Sequence, residues 1–442
     1  MRKNDKYIVE IIDMGMDGEG IAKVDGEVVF VPFAIKGEKV EILIINTKSK
    51  FAIAKVINIL EPSPLRKTPL CPYFTKCGGC ELQHIGYNDQ LILKKNSLVT
   101  TLAKNGINHI VSDVVPCESE YRYRNKVALP VAMINGKTVI GMYRKGSHKI
   151  VEIDDCIIQM DFIKKLLEVS KSYIEANNIS GYDEEKLSGD LRHIVARHYG
   201  DSILVTLVAT KKNLPNIKDY YDRLKEVYSD VGLSINVNTK KTNVIFGDTN
   251  IHIAGSEELQ ICENDIKYSV SNTSFMQVND DVRNKIYKFV LDSIDDSDTI
   301  VDLYSGAGVL TAMLSRKAKQ VYGVEIVDSA VDNANNLMKN NNISNVTNIC
   351  GDAEIELKKL SKVLSGDFSI VVDPPRKGLG ESVSKMLCEL SPKKIIYVSC
   401  NPATLSRDLK IMSDKYEILS INPFDMFPQT KHLETVAILK RI

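Results

Sequence analysis

Cys400 ends an apolar run, "KIIYVS" (394–399), and Asn401 and Pro402 break that run at once. A thiol at the carboxyl tip of a buried strand has two readings. It is a small core filler, since free cysteine is among the most buried residue types, or a nucleophile at the rim where α/β sheets bind ligands. "PATLSRDL" opens a helix directly after it, and a helix start lowers a thiol pKa. The expectation is therefore an activated thiolate. "FSIVVDPPRKG" closes another apolar strand on Asp373, ahead of two prolines that fix φ and remove two backbone donors. "KHLETVAIL" sets His432 and Glu434 just before a last apolar strand. A thiol, a carboxylate base and a methyl donor in one cleft define one chemistry. The thiolate adds to carbon 6 of a pyrimidine, carbon 5 takes a methyl group, a base removes the carbon 5 proton, and the thiol leaves. His432 is assigned no role.

"TIVDLYSGAGVLTAML" reads as strand, glycine turn and helix, and "QVYGVEIVDSAVDNA" then places Glu325 at the tip of the next strand. In nucleotide-binding sheets such a turn admits the ligand and such an acid bonds ribose hydroxyls. The pattern lacks G-x-G-x-x-G and instead sets Asp302, Tyr304, Gly306 and Gly308 on alternate positions. That suits S-adenosylmethionine better than a dinucleotide, because no pyrophosphate needs a helix terminus.

The 442 residues imply two to four domains, at about 100–200 residues each. Composition is that of a globular protein, with 44% hydrophobic and 26% charged residues. No apolar run reaches the roughly 18–20 residues of a membrane span, and "MRKNDKYIVE" has no apolar signal core, so the cytoplasm is the expected location. Formal net charge is zero, so any nucleic-acid footprint must be local. Nine cysteines without a secretion signal point to metal, cluster or catalytic use. Residues 1–60 read as short strands with glycine turns, which predicts a five-stranded barrel. Residues 61–270 open with a proline-rich link and mix strands with helices, one of which stacks Phe162, Leu166, Val169 and Tyr173 on one face. Residues 271–442 alternate strand and helix, the mark of a parallel sheet covered on both faces. Part of 86–118 is free to pack on this last domain.

In this order "DLYSGAG", "DPPRKG", "YVSCNPATLSRDL" and "HLETVAIL" resemble the RNA 5-methyluridine methyltransferases, the ribosomal and transfer-RNA uracil-5 group, over nearly the whole chain. The resemblance implies a Rossmann-like class I methyltransferase domain, an N-terminal OB-like TRAM barrel and an α+β central iron–sulfur domain. It implies Cys400 as nucleophile, Glu434 as general base, and Gln277, Tyr304, Glu325 and Asp373 as S-adenosylmethionine contacts, Asp373 also touching the uracil. "CPYFTKCGGCELQH" spaces three cysteines as C-x5-C-x2-C, close to plant-type ferredoxin spacing. By resemblance the ligands of a 4Fe-4S cluster are Cys71, Cys77, Cys80 and Cys156. Four-cysteine zinc is the rival. Cys117, Cys262, Cys350 and Cys388 are expected in the core. Basic and aromatic residues interleave in Tyr121–Lys126 and Tyr143–Lys149, and Arg192 and Arg197 sit on an expected strand. Such segments suit phosphates and splayed bases. The expected substrate is 23S ribosomal RNA, since the cluster loop marks the ribosomal branch. No obligate protein partner is evident. The alternatives are a transfer-RNA enzyme, an exocyclic-amine methyltransferase and a non-catalytic RNA-binding assembly factor. Retention of both Cys400 and Glu434 counts against the last two.

Overall fold

The computed structural model describes residues 1–364 and 367–442. β1 (Lys6–Glu10), β2 (Asp13–Met14), β3 (Gly20–Val24), β4 (Glu27–Val31), β5 (Lys39–Thr47) and β6 (Phe51–Glu61) form one sheet in the order β1-β5-β6-β4-β3-β2. There are six strands rather than five because the first one bends. Its first half pairs with β5, its second half with β3, and the Ile12 N–H bonds the Ile21 carbonyl at 2.8 Å. A strand must bend to pair at both ends of a closing sheet. Val9, Ile11, Val29, Val31, Ile42 and Ile44 fill the interior.

The chain then runs through the prolines and the cysteine loop into α1 (Tyr87–Ala103). The central sheet follows: β7 (Lys126–Ile134), β8 (Lys137–Tyr143), β9 (Ile150–Glu152), α2 (Phe162–Ala176), β10 (Leu191–Tyr199), β11 (Ser202–Ala209), α3 (Ile217–Val227), β12 (Asp230–Val237) and β13 (Thr249–Gly255). Its order is β13-β12-β11-β10-β7-β8-β9. Phe162, Ile163, Leu166 and Tyr173 of α2 share one core with Ile194, Val205 and Leu207 of the sheet.

The hairpin β14 (Leu259–Glu263) and β15 (Ile266–Val270) leads to α4 (Asp280–Ser293) and to the last sheet. That sheet is built by β16 (Ser297–Leu303), α5 (Val309–Leu314), β17 (Ala318–Glu325), α6 (Asp328–Asn340), β18 (Val346–Cys350), α7 (Ala353–Leu360), β19 (Phe368–Val372), α8 (Gly380–Leu390), β20 (Lys394–Ser399), α9 (Pro402–Met412), β21 (Tyr416–Phe424) and β22 (Glu434–Arg441). The strand order is β18-β17-β16-β19-β20-β22-β21. β16 to β20 are parallel, and β22 runs antiparallel to both of its neighbours. β19, β20 and β16 from Ile300 onward read as apolar runs because both faces are buried: Val301, Ile370 and Ile395 face one core, Ile300, Val371 and Ile396 the other. Strand order reverses between β16 and β19, which opens a crevice at their carboxyl ends. Leu98 and Leu102 of α1 join the core of α9, and the β14–β15 hairpin packs on Ala312, Met313, Leu337 and Met338. Among the described residues no helix is long and apolar enough to cross a membrane.

Candidate active site

Tyr304 leaves β16 at φ 65°, and its ring packs against the sheet core. Gly308 has φ 79°, and a Cβ there would lie 2.7 Å from Ala334 Cβ, so α6 packs close only over a glycine. Glu325 ends β17. Its Oε2 accepts from the Gly306 N–H at 3.0 Å and its Oε1 from the Val327 N–H at 2.9 Å. Behind the turn, Asp302 accepts from Thr311 Oγ1 at 2.6 Å. Burial, with Asp373 and Glu325 nearby, pushes the Asp302 carboxyl up to about 7. Gln277 lies half-buried between β15 and α4.

Asp373 follows β19, and burial pushes its carboxyl up to about 7. Cys400 follows β20. Asn401 caps α9 by accepting from the Ala403 N–H at 3.1 Å. Ser399 pairs with Thr435 across β20 and β22, so one more step of the ladder sets Cys400 against Glu434. The structure thus brings Cys400, Asp373 and Glu434 together. It reverses the expected thiol activation. Burial first, then the Glu434 and Asp373 carboxyls, push the Cys400 thiol up to about 11, against the opposing pull of Arg376. Glu434 is 2% exposed, and its Oε2 has no hydrogen-bond partner among the described residues. Burial, reinforced by Asp373, holds the Glu434 carboxyl well above the usual carboxylate range. His432 is pushed down to about 4 by burial and then by Arg376.

Cys71, Cys77, Cys80 and Cys156 lie half-buried and near one another. Burial raises all four thiols, and the Cys80 thiol is raised further by Cys156, Cys77 and Cys71. A set of four thiols is a soft donor set, apt for zinc or an iron–sulfur cluster. Among the described residues no three His, Cys, Asp or Glu side chains close on a point as ligands of one ion would. Two of the other cysteines correct the expectation of a core place. Cys262 and Cys350 are exposed, because they take the outward positions of a two-stranded hairpin and of an edge strand. Cys117 is buried, and Cys388 packs against the core of the last sheet. Arg192 and Arg197 also differ from the reading as phosphate contacts. Both are buried on β10, where Arg192 donates to the Asn238 and Lys240 carbonyls and Arg197 to the Ser274 carbonyl. Arg122 pairs with Asp155 at 2.6 Å, whereas Arg144 and Lys145 of the 143–149 turn are exposed.

The family model described as tRNA (Uracil-5-)-methyltransferase matches residues 86–442. The chain belongs to this RNA uracil-5-methyltransferase family. A TRAM domain model matches residues 3–57. An uncharacterised RNA methyltransferase of Clostridium acetobutylicum is 41% identical over 100% of this chain and 98% of its own length. One of Halalkalibacterium halodurans is 39% identical over 100% and 98%. The crystal structure of the Pyrococcus abyssi tRNA (uracil-54, C5)-methyltransferase in complex with S-adenosyl-L-homocysteine is similar at TM-score 0.79 and 28% identity, covering 98% of this chain and 99% of that one. The protein is an S-adenosylmethionine-dependent RNA uracil-5-methyltransferase with a class I fold and an N-terminal TRAM domain.

Sequence reasoning passed over several residues of this methyltransferase. Arg376 stands inside the quoted "DPPRKG" and is the cation nearest in effect to Cys400 and Glu434. Its carbonyl accepts from Asn401 Nδ2 at 3.0 Å, so α9 pins the loop that carries it. Asp408, fully buried, accepts from the Tyr397 hydroxyl at 2.8 Å and the Leu379 N–H at 2.9 Å, holding the far end of the same loop. The helical position of Asp408 gave no signal of this.

Proposed function

We propose that this methyltransferase modifies carbon 5 of a uridine in 23S ribosomal RNA through a covalent adduct with Cys400. The observation that carries the proposal is the meeting of Cys400 and Glu434 across β20 and β22, with Asp373 beside them. Gln277, Tyr304, Glu325 and Asp373 would hold S-adenosylmethionine, with exposed Ile326 and Val327 as an apolar ledge for its purine. When bound, S-adenosylmethionine supplies an electrophilic methyl group. Cys400 gives its proton to water and its sulfur adds to carbon 6 of the flipped uracil, the electron pair of the carbon 5–carbon 6 double bond moving toward the carbon 4 oxygen so that carbon 5 can take the methyl group. Its high pKa means that this proton leaves as the substrate arrives, with the Arg376 charge favouring the thiolate. Asp373 orients the ring. After methylation Glu434, whose carboxylate form the Arg376 charge favours, takes the carbon 5 proton, and the sulfur departs.

Cys71, Cys77, Cys80 and Cys156 would hold a 4Fe-4S cluster as a staple for an RNA-binding subdomain within residues 61–270. Residues 1–60 would bind RNA and 271–442 would carry the chemistry. The exposed 143–149 turn suits phosphates. The cysteine loop supports the ribosomal reading. A transfer-RNA reading is favoured by the match to the Pyrococcus abyssi enzyme across 98% of this chain. Mapping 5-methyluridine in ribosomal and transfer RNA from a deletion strain decides between them. Loss at a 23S position supports the first, and loss confined to transfer RNA ends it.

A further inference from the structure

Glu434 makes no side-chain hydrogen bond through its buried Oε2, so its place depends on the main chain that delivers it. On one side that is β22. On the other it is the connection 425–433, which is tied at nearly every residue. Asp425 pairs with buried Lys94 at 2.6 Å. The Met426 carbonyl accepts from Asn279 Nδ2 at 3.1 Å and the Pro428 carbonyl from the Tyr123 hydroxyl at 2.9 Å. Lys431 pairs with Asp17 of the barrel.

Gln429 is the centre of this connection. It is fully buried at φ 69°. Its N–H donates to Gln90 Oε1 at 3.1 Å, and its Oε1 accepts from Gln90 Nε2 at 3.0 Å. Its Nε2 donates to Glu120 Oε2 at 2.8 Å. Its carbonyl accepts from the N–H groups of Glu81 and Leu82 at 3.1 and 3.0 Å. Glu81 directly follows Cys80, so the cysteine loop is bonded to the segment that ends on Glu434.

We infer that Gln429 is a positioning residue for Glu434, and that through it the cysteine loop governs the last step of the reaction. The inference rests on the proposed roles of Cys400 and Glu434. In that step the carbon 5–hydrogen bond of the methylated adduct breaks and the proton passes to the Glu434 carboxylate. The electron pair forms the carbon 5–carbon 6 double bond, and the carbon 6–sulfur bond breaks with its pair returning to Cys400. A base displaced by a fraction of an ångström slows this step. Addition and methyl transfer do not pass through it.

The test uses the full chain, an RNA fragment holding the target, and methyl-labelled S-adenosylmethionine. Gln429→Gly keeps the positive φ and the carbonyl bonds to Glu81 and Leu82 but removes the side chain. Gln90→Ala leaves Gln429 intact and removes its partner. Both should slow steady turnover at least about tenfold, the scale of a misplaced catalytic group. Methyl transfer in the first turnover should change little, and a labelled protein–RNA adduct should build up on a denaturing gel. If first and later turnovers fall together in step with the folded fraction, with no adduct, Gln429 is structural and the inference is overturned. If unaltered protein forms no adduct with 5-fluorouridine RNA, the covalent reading itself has failed and the inference falls with it.

Discussion

The cleft and the connection 425–433 treat their polar groups in opposite ways. In the cleft, burial pushes the Asp302 and Asp373 carboxyls up to about 7 and the Cys400 thiol up to about 11, and Glu434 keeps an unpartnered oxygen. In the connection, Gln429 satisfies its backbone and its side chain, and Lys94 and Asp425 neutralise each other in the core. Burying the reactive groups costs stability. The bonds of Gln429 and the Lys94–Asp425 pair hold the connection in place, although Asp425 Oδ2 itself has no partner among the described residues. An enzyme needs both, since a group spent on structural bonds is not free for substrate.

The largest break falls on the cleft. Cys400→Ala should abolish methylation and adduct with 5-fluorouridine RNA while S-adenosylmethionine binding and melting temperature stay nearly unchanged, because a half-buried sulfur at a rim leaves little cavity. Full methylation by folded Cys400→Ala protein would remove the covalent mechanism. Iodoacetamide labelling of Cys400 in free protein should be slow at neutral pH and climb until about 11.

On the supporting side, Lys94→Met should leave Asp425 buried and unpaired, costing about 3–5 kcal/mol in urea unfolding. Replacing both partners with apolar residues should recover most of that loss. No recovery would mean that Lys94 matters for more than charge. Glu325→Ala should weaken S-adenosylmethionine binding by roughly 1–3 kcal/mol through lost charge-assisted bonds. Calorimetry showing equal affinity would move the ribose site elsewhere.

A pH dependence sharpens the contrast. Asp302 is raised in the folded state from 3.8 to about 7. Its stabilising contribution is therefore complete below pH 3.8 and lost as pH rises through about 7. Asp302→Asn cannot ionise. It should melt higher than the unaltered protein at pH 8 and equally at pH 4. The reverse order would mean that Asp302 is charged and paired when folded.

Much of the cleft was legible because its acids and thiol sit where unbroken apolar runs stop. Tyr304, Asp373 and Cys400 each follow a strand with buried residues on both faces, and Glu325 closes β17. The TRAM barrel was legible from its closely spaced strands, except for the bend at Ile11–Ile12, which depends on pairing at both ends of the sheet. The direction of the Cys400 shift was not legible, since it comes first from burial and then from carboxyls that are distant in sequence and adjacent in the fold. Arg192 and Arg197 read as surface charges because spacing does not show which face of β10 a neighbouring segment covers. Gln90 and Gln429 are 339 residues apart and occupy no motif, so only the folded chain joins them.

The antiparallel placement of β22 makes the connection before it a ruler. Nine residues separate Phe424 from Glu434, and strand side chains alternate faces. Adding or deleting one residue would present Leu433 or Thr435 to Cys400 and turn the carboxylate to the opposite face. A change of two would restore the face but shift the carboxylate about 7 Å along the strand. Surface loops elsewhere in the molecule tolerate a change of length. This one has no length to spare.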